Sequence, residues 1–225
     1  VAENLGNVLP VYVVADESAS MGPVVGELNS GLAELHQALL REPMAAAKVR
    51  FTILGFADDV QVRLSLADLR TESALPVLTT RSTTSYGAAF GELLHRIPAD
   101  IDALKSQGYS VYRPAVFFLT DGQPTDEPAW RDPYERLVDK EITHAAPNII
   151  ACGIGAARAR TILEVATRPE FAFIGAPGVE LGLAIAEFSV ALTKSIVASA
   201  RAAAADRTEL VVERPNSFVM AVDVV

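Results

Sequence analysis

One cysteine, three histidines and a shortage of basic residues are what the 225-residue sequence most lacks. The single Cys152 excludes an intrachain disulfide framework, so the fold must rest on an ordinary buried core. Residues 1–9 carry no basic stretch ahead of an apolar one, so no secretory leader is expected there. Arg, Glu, Lys or Gly interrupts the apolar stretches before they reach the roughly 18 residues a bilayer span needs, which predicts no membrane span. The 19 Lys and Arg face 28 Asp and Glu, for a formal net charge of −9. With no Lys/Arg stripe, that balance excludes general nucleic-acid binding, which needs a basic footprint, and favours cations or basic partners. These absences together predict a cytoplasmic protein.

What is present reads as one globular core. Half of the residues are hydrophobic and 21% are charged, too apolar a balance for a disordered chain. A chain of this length can bury roughly 70 to 75% of its unfolded surface. There is no internal repeat, and the Ala cluster near residues 198–205 reads as helix.

Val8 to Ala15 (VLPVYVVA) is an almost unbroken β-branched run, the pattern of a strand buried on both faces of a parallel sheet. From Gly22 to Leu40, Val25, Leu28, Leu32, Leu35 and Leu39 recur at helical spacing, with Pro43 as a stop. Lys48 to Phe56 and Val60 to Leu66 alternate as strands about a turn at Asp58 and Asp59, predicting an antiparallel edge. A helix is expected from Tyr86, with a kink or break at Pro98. Arg113–Thr120 and Ile149–Ile154 read as further buried strands, separated by a helix over about 127–144. A short helix near 158–167, a strand at Phe171–Ile174 and a long helix over about 178–205 complete the order. Strands alternating with helices predict a doubly wound α/β domain over residues 1–206, mostly parallel with one antiparallel edge strand and helices on both faces. Residues 207–225 form an apolar, β-branched tail, read as an edge hairpin or an arm.

Ligands in such sheets bind beyond the carboxyl ends of the strands. The first strand runs into Asp16-Glu17-Ser18-Ala19-Ser20, where alternate positions can aim Asp16, Ser18 and Ser20 at one point. Thr83-Thr84-Ser85 offers hydroxyls at a helix start, and Asp121 follows the strand ending at Thr120. This all-oxygen set, without thiolate or nearby His, is the donor chemistry of a hard cation that keeps several waters. Mg2+ is the expected ion, with Mn2+ or Ca2+ as alternatives. Few anionic ligands leave the ion able to attract an outside carboxylate.

These residues carry a resemblance. Asp16, Ser18 and Ser20 match the D-x-S-x-S pattern of the metal-ion-dependent adhesion site in von Willebrand factor A domains, Thr84 resembles its threonine and Asp121 in FFLTDG its distal aspartate. The resemblance covers roughly residues 8–200. The segments LPVYVVADESASM and LTDGQPTDEPAW are most similar to small bacterial proteins of tellurium-resistance and stress-response clusters. It implies direct ligation by Ser18, Ser20 and, in one conformation, Thr84, with Asp16 and Asp121 often acting through water. Some relatives add a Cys-rich metal-binding segment, which a chain with only Cys152 cannot supply.

Each neighbouring group has a plainer reading. Asp126 is expected to cap a helix starting at Glu127 and Pro128, and Asp58 and Asp59 to shape a turn. Trp130 reads as a packing residue, Cys152 as an inert buried thiol, and His36, His95 and His144 as solvated or satisfied. Gly153-x-Gly155 lacks the third glycine of a dinucleotide loop. Function is then expected to be non-enzymatic: a metal-dependent module that binds an Asp or Glu carboxylate of a protein partner. The alternative is a Mg2+-dependent phosphoester hydrolase, which usually needs a second acid where this chain has Ser18. A third reading is a scaffold whose site has lost its metal through the charge of Glu17, whose side chain should point away from Asp16 in an extended loop.

Overall fold

A computed structural model describes residues 5–224. Its centre is β1 (Asn7–Asp16), whose β-branched residues are buried almost throughout. Pairing parallel to it on one side is β2 (Val49–Phe56), with Asp16 level with Phe56. β3 (Val60–Ala67) turns back antiparallel on β2 and closes that edge. On the other side of β1 lie the short β4 (Ser110–Val111) and then β5 (Ala115–Thr120), both parallel. β6 (Asn148–Gly153) and β7 (Ala172–Gly175) continue in parallel. Residues 207–217 form no strand, whereas β8 (Phe218–Met220) pairs antiparallel with β7. The order is therefore β3-β2-β1-β5-β6-β7-β8, with β4 beside β1. The mostly parallel sheet and its antiparallel β3 edge are as the sequence predicts, and β8 adds a second antiparallel edge.

Helices cover both faces. α1 (Val25–Leu40) packs on the long α6 (Leu181–Ala204), which also packs on β1, and α2 (Pro43–Ala46) lies against α6. α3 (Tyr86–Ser106) packs on α4 (Arg131–Val138) and against β2 and β3, while α5 (Ala159–Val165) lies by β6 and β7. Phe56, Tyr86, Phe90, Phe118, Trp130 and Tyr134 interlock through stacked and edge-to-face contacts with centroids 5.0–6.1 Å apart, which ties β2 and β5 to α3 and α4.

Four local expectations change. α3 runs unbroken through Pro98, because its packed apolar face holds the helix where the ring removes one hydrogen bond. The helix expected over 127–144 is only α4. Asp126 does not cap it, because its carboxylate is committed to the start of α3, accepting from Ser85 Oγ at 2.8 Å and Gly87 N at 2.7 Å. Beyond α4, Asp139 accepts from the Glu141 amide at 2.8 Å and closes a turn that ends the helix. Lastly, α6 is long and apolar enough to cross a membrane by length and composition, with mean hydropathy 1.6, contrary to the sequence expectation. Its three charged residues, Glu187, Lys194 and Arg201, interrupt the apolar runs while leaving the average hydropathy of the helix high. In the fold its Ile185, Phe188, Leu192, Ile196 and Ala200 are buried, the pattern of a core helix.

Candidate metal centre

The chain crosses from the β1-β2-β3 side of the sheet to the β5-β6-β7 side between β1 and β5, the topological switch point where open α/β sheets form a crevice. Ala15 is in register with Leu119, so Asp16 and Thr120 leave the sheet side by side. Thr120 Oγ1 donates to Asp16 Oδ2 at 2.7 Å, and the Ser18 amide donates to Asp16 Oδ1 at 2.8 Å. Both carboxylate oxygens are thus fixed. Ser18 Oγ lies 3.0 Å from Ser20 Oγ, and Ser20 Oγ donates to Asp121 Oδ1 at 2.8 Å. Asp16, Ser18, Ser20 and Asp121 form one hydrogen-bonded group, buried except at Ser20, which is exposed.

Thr84 stands beside this group. A methyl built on Gly122 would be 3.6 Å from Thr84 Oγ1, so the hydroxyl faces the turn after β5. The Thr84 carbonyl accepts from both the amide and the hydroxyl of Thr125, at 2.9 and 3.0 Å. Tyr86 Oη donates to the Gly122 carbonyl at 3.1 Å. The three sequence segments singled out therefore meet at one place. Thr120 and Tyr86 escape a sequence reading as positioning residues, because only the pairing of β1 with β5 reveals what Thr120 faces.

Glu17 does point away from Asp16, and its charge is fully compensated. Its carboxylate, fully buried, accepts from Arg63 Nη2 at 2.8 Å, Arg81 Nε at 2.9 Å and the Thr79 amide at 3.0 Å. It fills the space over Gly55, where an added Cβ would lie 2.2 Å from the Glu17 carboxyl carbon. Asp59 pairs with Arg81, and Asp58 accepts from Ser82 Oγ at 2.5 Å, so the β2–β3 turn and the loop before α3 are tied together. Trp130 is buried, as is Cys152, whose thiol burial pushes upward, and His36 is buried with its ring on the Leu69 carbonyl.

The donor set fits a hard divalent cation. Burial pushes the Asp16 carboxyl up, the charge of Asp121 adds to this, and hydrogen bonds from Ser18 and Thr120 oppose it. Burial likewise raises Asp121 against a hydrogen bond from Ser20. Among the described residues no Lys or Arg forms an ion pair with either carboxylate, so two like charges converge with no protein cation between them. Among these residues, too, no three His, Cys, Asp or Glu gather to hold a metal. A cation here would rest on hydroxyls and at most two carboxylates, an all-oxygen set of the kind hard divalent ions take.

No protein-family model matches the sequence, and no curated protein matches it either. Solved structures match in fold. The pilus adhesin SpaC from Lactobacillus rhamnosus GG, in an open conformation, superposes with a TM-score of 0.64 at 13% identity, over 87% of this chain and 30% of the adhesin. A von Willebrand factor type A protein from Catenulispora acidiphila gives 0.54 at 13% identity, over 85% of this chain and 43% of that one. Proximal thread matrix protein 1 from the mussel byssus gives 0.51 at 16% identity, over 89% and 47%. This chain thus spans less than half the length of each of these proteins.

Proposed function

Starting from the von Willebrand factor A fold of this chain, we propose that it is a metal-dependent protein-interaction module that binds Mg2+ through Ser18, Ser20 and Thr84, with Asp16 and Asp121 close behind, and uses the ion to hold an Asp or Glu carboxylate of a partner. The observation that carries this is the hydrogen-bonded group Asp16–Ser18–Ser20–Asp121 at the switch point, buried on the protein side and exposed at Ser20. The bound ion would supply a positive charge that attracts one more anionic oxygen. The chain's own residues fix the geometry. Thr120 and the Ser18 amide hold both oxygens of Asp16, and Glu17 with Arg63 and Arg81 anchors the loop from beneath.

The phosphoester-hydrolase alternative finds less support. Both Asp16 oxygens already accept hydrogen bonds, which disfavours a free nucleophile, and among the described residues no His or Lys hydrogen-bonds with Asp16 to act as a base. A bacterial stress-response setting of the tellurium-resistance type, in the cytoplasm, rests on the likeness of residues 9–21 and 119–130 to such proteins and on the single Cys152.

The deciding experiment titrates Mg2+ and Mn2+ into chelator-treated protein by calorimetry, beside the Asp16→Ala and Asp121→Ala variants. One saturable site in the wild type, lost in both variants while their circular dichroism is unchanged, is expected. Repeating the titration with free acetate as a carboxylate probe should show acetate binding only when metal is present. Metal binding retained in Asp16→Ala, or acetate binding in chelator, overturns the proposal.

A further inference from the structure

The amino ends of the parallel strands lie at the opposite end of the sheet from Asp16, along the strand direction. A cavity of about 440 Å³ opens there, bounded by Leu9 of β1, Asn148 of β6 and the residues leading into β5. Four cationic side chains from four separate segments line it. Arg113 precedes β5, Lys140 follows α4, Arg168 precedes β7 and Arg207 follows α6, and Glu209 is the one carboxylate among the lining residues. That concentration stands out in a chain whose formal net charge is −9.

These cations are poorly neutralised. Arg168 and Glu170 approach only to 3.8 Å and Arg207 and Glu209 only to 4.0 Å, with all four side chains more than half exposed, which makes both pairs weak. Among the described residues Arg113 and Lys140 join no ion pair, and Arg113 donates only to the Ala146 carbonyl. Nearby carboxylates are turned elsewhere: Asp206 accepts from Asn7 Nδ2 at 2.9 Å and Asp139 from the Glu141 amide at 2.8 Å. Arg113 also lines an adjoining cavity of about 430 Å³ together with Lys105, His144 and one carboxylate, Asp102.

We propose that this cavity is a second binding site, for a small phosphate-bearing anion. Its volume falls in the usual ligand range of about 300–1,000 Å³. Several cations in a concave site concentrate field and favour a multivalent anion over a single carboxylate. Three of the four are arginines, whose planar forks match phosphate oxygens in pairs. The apolar floor of Leu9, Val111, Ala203 and Leu210 would accept the non-phosphate part of such a ligand. The overall negative charge opposes a long nucleic acid on the same surface.

The test uses pyrophosphate as probe, titrated by calorimetry into the full chain in chelator, so that the candidate metal centre takes no part. Saturable one-to-one binding is expected, weakened about tenfold or more in Lys140→Ala/Arg207→Ala, which removes two of its charge-assisted contacts. Lys194→Ala, on a different groove of α6, and Asp16→Ala should bind as the wild type does. Absence of saturable binding overturns the proposal. Equal weakening by Lys194→Ala does so too, by showing a general charge effect, as does tighter binding of a short oligonucleotide through the same residues.

Discussion

Glu17 sits between two proposed ligands yet belongs to a different layer of the structure. It is fully buried beneath Arg63 and Arg81, whose side chains remain 18% and 15% exposed. Removing one member of a buried ion cluster leaves charge uncompensated, at about 3–5 kcal/mol in a dry interior. The partial exposure of both arginines reduces this, so Glu17→Ala is expected to cost about 2–4 kcal/mol in urea unfolding. A loss under 1 kcal/mol would mean that solvent replaces the carboxylate without difficulty. Asp100 presents the opposite case. Burial raises its carboxyl above the ordinary 3.8, against a hydrogen bond from Tyr12 and the charge of Arg96. The native state therefore keeps its proton to higher pH than the unfolded chain, and stability falls as pH rises from 3.8 through the folded value. Asp100→Asn keeps an acceptor for the Tyr12 hydroxyl, which donates at 2.8 Å, while removing the charge. Its urea midpoint should match the wild type well below the ordinary carboxylate value and exceed it near neutral pH. A lower midpoint near neutrality would show that the ionised carboxylate stabilises the fold.

Among the elements, α1 and α6 meet closely enough that one position tolerates no side chain. A Cβ on Gly31 would lie 2.1 Å from Ser189 Oγ and 2.3 Å from Ser189 Cβ. Helix propensity alone would favour Gly31→Ala by about 1 kcal/mol. Overpacking of about 1–3 kcal/mol works against it, and the nearest atoms include a Cβ fixed to the α6 backbone rather than the end of a flexible chain. We expect Gly31→Ala to lower the unfolding midpoint, and Gly31→Ala/Ser189→Gly to recover most of the loss. Failure of the double variant to recover would place the clash elsewhere. The same contact helps explain α6: its mean hydropathy is that of a membrane span, but it has a partner helix and a strand to pack on.

At the scale of the whole molecule, the convergence of two carboxylates raised by burial means that the metal-free fold carries an electrostatic cost which a cation would remove. Ligand binding to the native state alone stabilises by about 2.7 kcal/mol at a hundred times Kd. For a domain of this size each kcal/mol moves Tm by about 2–4 °C. Saturating Mg2+ is therefore expected to raise Tm by about 5–10 °C over chelator, and by nothing in Asp16→Ala. An equal rise in the variant would locate the cation outside the switch point.

The sequence by itself determined the long buried strands, most of the helices between them, and the three segments carrying Asp16, Ser18, Ser20, Thr84 and Asp121. Each of these is a local signal: an apolar run, a helical period, or a carboxylate directly after a strand. Only the tertiary structure decided what each polar group faces. Thr120 holds Asp16 because β1 and β5 pair in one register. Asp126 caps α3 and not the segment that follows it. Glu17 finds its arginines 46 and 64 residues away. Four cations from distant segments share one cavity. The physical reason is that a side chain's partners are set by strand register and helix packing, which depend on the whole chain at once, whereas apolar periodicity is written within a few residues.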